Sequence, residues 1–163
     1  MSTPEKKILD ATCGSRMMWF DKNNEHTIYA DKRNENHILC DGRALEISPD
    51  VEMDFTNMPF ESNTFSLVVF DPPHLKKLGT NSWLAKKYGK LFPGWEMEIK
   101  AGFDECMRVL KPDGTLIFKW NENQIKINHI IEIIGVKPLF GHPSGKLGQT
   151  IWMSFIKINE KQP

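Results

Sequence analysis

The stretch best equipped for chemistry is Asp71-Pro72-Pro73-His74, which ends the apolar run Ser66-Leu-Val-Val-Phe70. Such a run reads as a strand buried on both faces of a parallel sheet. Proline has no N–H to give a ladder and fixes its own φ, so the strand stops at Asp71. A carboxylate and an imidazole are thereby held on a rigid turn at the carboxyl end of a strand, the edge where open α/β sheets bind ligands. The plainer reading is a proline turn with an incidental acid. Immediately downstream, residues 75–95 carry Lys76, Lys77, Lys86, Lys87 and Lys90, no acid, and the aromatics Trp83, Tyr88, Phe92 and Trp95. Lysines supply phosphate contacts and aromatic faces stack on bases or other flat groups. A long loop in that place reads as a mobile substrate lid, or else as a solvated basic loop pinned by its aromatics.

The elements that must position these residues follow from the pattern of the chain. Residues 7–11 read as a short first strand and 12–15 as a tight small-residue loop. Residues 17–20 then form an apolar helix or turn, an order that holds a nucleotide-type ligand by backbone amides. Residues 27–30 make a second strand ended by Asp31, about twenty residues past the loop, where an acid accepts from ribose hydroxyls. Residues 34–49 carry no strong period and read as a loop with a short helical turn. A third strand spans 51–55. Residues 96–110 are a helix with Met97, Ile99, Phe103, Met107 and Leu110 apolar, stopped by Lys111-Pro-Asp-Gly114. Strand 114–120 follows, then an amphipathic helix over 123–135, and 136–140 with 150–156 form an antiparallel pair at the sheet edge. His142, Ser144 and Lys146 lie in the polar turn between them, whose spacing is not that of a P-loop.

Asp71-Pro72-Pro73-His74 resembles motif IV of amino-group methyltransferases, which use S-adenosylmethionine. Residues 8–15 resemble motif I of class I methyltransferases, with Gly14 as its middle glycine and Thr12 and Arg16 in place of the other two. Residues 103–118 resemble the helix, Arg-Val-Leu-Lys-Pro turn and strand of the same family. The resemblance runs from Ile8 to about Phe155, and small phage and bacterial methyltransferases with Asp-Pro-Pro-His and a Phe-Lys-Trp strand look most similar. It implies a single domain over 1–163: an α/β, Rossmann-like, seven-stranded, mostly parallel sheet with helices on both faces and the last strand antiparallel.

The resemblance also implies roles. Asp10, Ala11, Thr12, Cys13, Gly14, Ser15 and Asp71 would contact S-adenosylmethionine, with Asp31 on its ribose and Asp54 and Phe55 on its adenine. Arg16 either reaches the methionine carboxylate or a substrate phosphate, or is a surface arginine in a diverged loop. Asp71 and the Pro72 carbonyl would accept the hydrogens of an exocyclic base amine, adenine N6 preferred. That would draw the nitrogen towards a nucleophilic geometry for in-line transfer. The family's aromatic fourth residue, which stacks on the target base, is His74 here. Lys76, Trp83, Tyr88, Trp95 and Lys119 are the further candidate substrate contacts.

Composition bounds the partners. The 163 residues are 40% apolar and 26% charged, with 21 basic and 21 acidic residues and zero net charge. No global field draws the chain to nucleic acid or membrane, so an RNA or DNA site is a local patch. Cys13, Cys40 and Cys106 match neither zinc spacing nor a disulfide framework, so no metal is expected and free thiols fit a reducing cytoplasm. No apolar signal region or 18-residue apolar stretch is present. A monomer or small homo-oligomer is expected, with a partner subunit one way to supply the missing target-recognition domain. Two other readings stay open: a small-molecule or protein side-chain acceptor, and a cofactor-binding module without catalysis.

Overall fold

The computed structural model describes residue 3 and residues 5–79, 82–142 and 148–159. Six strands form the main sheet: β1 (Ile8–Asp10), β2 (Thr27–Asp31), β5 (Val51–Glu52), β6 (Phe65–Phe70), β7 (Leu110–Asn121) and β8 (Thr150–Ile156), in the order β5-β2-β1-β6-β7-β8. The first five run parallel and β8 is antiparallel to β7. This is the expected Rossmann-like sheet, with six strands instead of seven. The missing strand is 136–140, which makes only a bridge from Phe140 to Ser154. Pro138 has no N–H to donate, so pairing there does not extend.

The core lies between the sheet and two helices, α2 (Trp95–Val109) and α3 (Ile127–Ile134). Leu9, Ala30, Val68, Phe70, Leu116 and Phe118 point into it from successive strands, and Ile99, Phe103, Cys106, Ile130 and Ile134 meet them. Strand register puts Asp10, Tyr29, Val69 and Ile117 on the opposite face. There the turns of 13–24 fold over Asp10 and Tyr29, and residues 17–20 form turns, not a helix.

Three local expectations change. Residues 34–49 are a hairpin, β3 (Glu35–Ile38) with β4 (Ala44–Ile47), turning through Gly42 at φ 82°. Leu45 and Ile47 alternate with Ala44 and Glu46 and bury one side of it. The last helix starts at Ile127 instead of 123. Asn121 accepts from the Asn123 N–H at 3.0 Å and Trp120 Nε1–H donates to the Ile125 carbonyl at 3.0 Å, bonds that compete with helix in this stretch. Strand β7 begins at Leu110 and bulges through 111–114, with Asp113 at φ 64°. No described helix is long and apolar enough to cross a membrane.

Candidate active site

The carboxyl ends of β1, β2, β5 and β6 open on one edge, and the residues after each converge there. After β6, the Asp71 N–H donates to Thr12 Oγ1 at 2.7 Å, so the residue standing where a glycine was expected ties the first loop to the Asp71-Pro72-Pro73-His74 turn. The Ala11 N–H reaches the Val69 carbonyl at 3.0 Å and the Cys13 N–H the Ala30 carbonyl at 2.8 Å. These bonds fix the loop between its two neighbouring strands. Gly14, at φ 50°, donates its N–H to Asp31 Oδ2 at 2.8 Å.

Asp31 is almost fully buried. Its Oδ1 accepts from the Arg33 N–H at 2.9 Å and from Arg33 Nε at 3.3 Å. A carboxylate has about four acceptor sites, and three are used by the chain itself. Arg33 Nη1 also donates to the Lys86 carbonyl at 2.9 Å. Arg33 is therefore a strut from the end of β2 to the short helix α1 (Trp83–Tyr88), which forms the only described regular element of the 75–95 loop. Ser82 Oγ caps α1 by accepting from the Ala85 N–H, and the Leu91 N–H donates to the Leu75 carbonyl at 2.9 Å, closing the ends of the loop.

A cavity of about 530 Å³ lies between these pieces, walled by Ala11, Thr12, Asp31, Asp54, Phe55 and Asp71 among others and roofed by residues of 85–92. Its volume falls in the range of small-ligand sites. Asp54 Oδ1 accepts from the Thr56 N–H and hydroxyl, which hold its carboxyl below the usual carboxylate range, and Oδ2 pairs with Lys32 at 3.0 Å. Phe55 packs edge-on to Phe70 with ring centroids 5.1 Å apart. Gly102 makes room for that pair, since a Cβ on it would stand 2.5 Å from Phe55 Cδ2.

On the other side of Asp71 is a smaller pocket, about 60 Å³, lined by Thr12, Asp71, Pro72, His74, Tyr88 and Lys119 with the 13–18 turns. Lys119 Nζ donates to Asp71 Oδ2 at 3.1 Å. Burial raises the Asp71 carboxyl above its ordinary value, and the Lys119 charge pulls against that rise. His74 stands between Tyr88 and Trp120, ring centroids 6.0 and 6.1 Å away. Burial holds its imidazole below the ordinary histidine value, so it is neutral at pH 7.

Not every candidate reaches the cavities. Asp10 lies buried under Trp19, accepting its Nε1–H at 2.6 Å and the Thr12 N–H at 3.1 Å, and lines neither cavity. Burial pushes its carboxyl up to about 7 and the Cys13 thiol up to about 12, so Cys13 is no thiolate. Arg16 keeps the left-handed backbone, φ 59°, that a glycine would adopt freely. Its guanidinium turns away from the 530 Å³ crevice, donating to the Lys22 and Ser48 carbonyls at 2.7 and 3.0 Å and lying 3.9 Å over the Tyr29 ring. It braces the loop and lines neither the crevice nor the smaller pocket. Lys76 is exposed with Nζ 5.6 Å over Trp95, Trp95 is buried at the start of α2, and Trp83 is half-exposed outside both cavities. Of the six substrate candidates the structure brings His74, Tyr88 and Lys119 together.

No protein-family model matches the chain, and no curated protein matches it in sequence. Solved structures do match it in fold. A TehB-like SAM-dependent methyltransferase from Corynebacterium glutamicum superposes with a TM-score of 0.54 at 14% identity, over 94% of this chain and 82% of that one. The chain has the fold of S-adenosylmethionine-dependent methyltransferases. An rRNA methylase from Streptococcus thermophilus matches with a TM-score of 0.52 at 11% identity, over 94% and 88% of the two chains. A geranyl diphosphate methyltransferase in complex with GPP and sinefungin matches with 0.53 at 8% identity, over 97% and 73%.

Proposed function

We infer that the protein is an S-adenosylmethionine-dependent methyltransferase acting on an exocyclic amine of a nucleic-acid base, with adenine N6 preferred. The observation that carries this reading is that Asp71 is a shared wall of two adjoining cavities. One is large enough for a nucleoside-sized ligand and has carboxylates and an aromatic ring on its walls; the other is ringed by His74, Tyr88 and Lys119. The sinefungin bound by the geranyl diphosphate enzyme is an S-adenosylmethionine analogue, which supports the cofactor. The rRNA methylase supports a nucleic-acid acceptor.

The residues fit the cofactor. Asp31, with one acceptor site left, would take a ribose hydroxyl, and Phe55 with Asp54 would hold the adenine. When bound, S-adenosylmethionine supplies an electrophilic sulfonium methyl. On this chain's side, Lys119 occupies Asp71 Oδ2 and leaves Oδ1 as the oxygen that accepts an amine hydrogen; the Pro72 carbonyl accepts the other. Drawing both hydrogens into hydrogen bonds exposes the nitrogen lone pair, so catalysis is positioning and electrostatics. Neutral His74 offers a flat face and a ring nitrogen to the base. The acceptor pocket is smaller than a purine, so α1, strutted by Arg33, must shift to admit one.

The test is incubation with labelled S-adenosylmethionine and total RNA, DNA, protein and metabolite fractions. Label recovered as N6-methyladenine is expected, and label confined to metabolites or protein overturns the acceptor.

A further inference from the structure

A third cavity, about 590 Å³, adjoins the acceptor pocket on the side away from the cofactor crevice. It runs between the 14–23 turns and the β3–β4 hairpin and shares Gly14, Ser15, Met17 and Lys87 with the acceptor pocket. Four cations line it, Arg16, Lys22, Arg43 and Lys87, against one acid, Glu46. Their availability differs. Arg16 spends its donors on the Lys22 and Ser48 carbonyls, Asn23 and Asp50, and Arg43 shares its charge with Asp41. Lys22 and Lys87 face no carboxylate within ion-pair distance among the described residues, and Lys87 Nζ rests 5.2 Å over the Tyr88 ring at the junction with the acceptor pocket. In a chain of zero net charge, Lys22 and Lys87 leave this cleft a local positive surplus beside the acceptor pocket.

We propose that this cleft holds phosphates of the single-stranded nucleic acid whose base enters the acceptor pocket, with unpaired Lys22 gripping the strand, Arg43 exchanging its exposed pairing with Asp41 for a phosphate, and Lys87 marking the crossing from phosphate to base. The proposal rests on the methyl-transfer reading above and adds a location for the backbone. The chemistry is that of counterion release: each phosphate neutralised by a lysine or arginine steepens the salt dependence of binding, by about 0.7 in the log–log slope for single strands. The cleft also supplies a second point of grip on the strand beside the acceptor pocket. Lys90 and the other lysines of 75–95 that lie off this cleft are not required for it.

The experiment measures binding of a fluorescein-labelled, adenine-containing 12-mer RNA by anisotropy at several salt concentrations, for the wild type, Lys22→Ala/Arg43→Ala, Lys22→Glu, and Lys100→Ala as a control on the far side of the fold. Expected are a tenfold or larger loss for the double variant, a larger loss for Lys22→Glu, a salt slope shallower by roughly 1 to 1.5, and no change for the control. Uptake of S-adenosylmethionine and methyl transfer to free adenosine, which has no phosphate, should be unchanged in the double variant. RNA binding and salt slope equal to wild type in both cleft variants overturn the cleft and leave base methylation standing. A wild type that binds no RNA overturns the cleft as well, while transfer to adenosine then decides the methylation reading separately. Adenosine monophosphate binding as tightly as the 12-mer overturns the strand as occupant.

Discussion

Lys119 Nζ sits 3.1 Å from Asp71 Oδ2, joining the ends of two adjacent parallel strands at the wall between the 530 Å³ crevice and the 60 Å³ pocket. Both side chains are largely screened from water, so the pair acts in a medium where charges matter more than at the surface. Burial raises the Asp71 carboxyl above its ordinary value, and the ammonium opposes that rise. It also commits one oxygen and orients the other.

Replacing Lys119 by Met should therefore move the acid limb of the pH–rate profile upward. An opposite charge at this range lowers a carboxyl by about 1–3 pH units, and its removal returns that much. At pH 7 kcat/KM should fall, and it should recover as the pH is raised. A uniform loss at every pH would mean that Lys119 acts on the acceptor and not through Asp71.

Asp10 makes an opposite kind of prediction, about stability. Its carboxyl titrates near 7 when folded against 3.8 ordinarily. Between those pH values the folded chain holds a proton that the unfolded chain has released. This group's contribution to stability thus falls as pH rises from about 4 to about 7, by up to about 1.4 kcal/mol per pH unit, and is level above. Asp10→Asn removes that dependence while losing one hydrogen bond from Trp19 or Thr12. Urea midpoints at pH 5 and pH 8 should show the substitution costing most at pH 5 and least at pH 8. Equal costs at both pH values would place the Asp10 titration elsewhere.

Gly102 makes room, from the helix behind the crevice, for Phe55 on the crevice wall. A methyl group there would overlap Phe55 and Phe70, at 2.5 and 2.8 Å. Overpacking costs about 1–3 kcal/mol, against about 1 kcal/mol gained in helix propensity. Gly102→Ala should leave the fold within about 2 kcal/mol of wild type and weaken S-adenosylmethionine binding severalfold by displacing Phe55. Calorimetric titration beside thermal melting separates the two effects; unchanged affinity would detach Phe55 from the adenine.

The strand-ending Asp71-Pro72-Pro73 turn and the places of the main parallel strands along the chain were legible because buried runs and prolines act locally. The hairpin over Glu35–Ile47 had a readable signal as well, Asp41-Gly42 between alternating residues, which the weak overall period of 34–49 obscured. Pro138 likewise marked a segment that could not pair along its length. What could not be read lies between residues distant in sequence. Lys119 finds Asp71 across 48 positions, Arg33 finds the Lys86 carbonyl across 53, and Thr12 receives the Asp71 N–H across 59. Arg16 shows the converse: its type suggested an anion ligand, and only its backbone φ and its carbonyl partners reveal a brace.

The most direct test is a calorimetric titration of S-adenosylmethionine into wild type, Asp31→Ala and Asp71→Ala, paired with turnover on the RNA fraction. The wild type should take up one equivalent, Asp31→Ala should bind at least tenfold more weakly, and Asp71→Ala should keep the cofactor within a few-fold while losing methyl transfer. No uptake by the wild type, affinity indifferent to Asp31, or turnover that survives the loss of Asp71 would contradict the account.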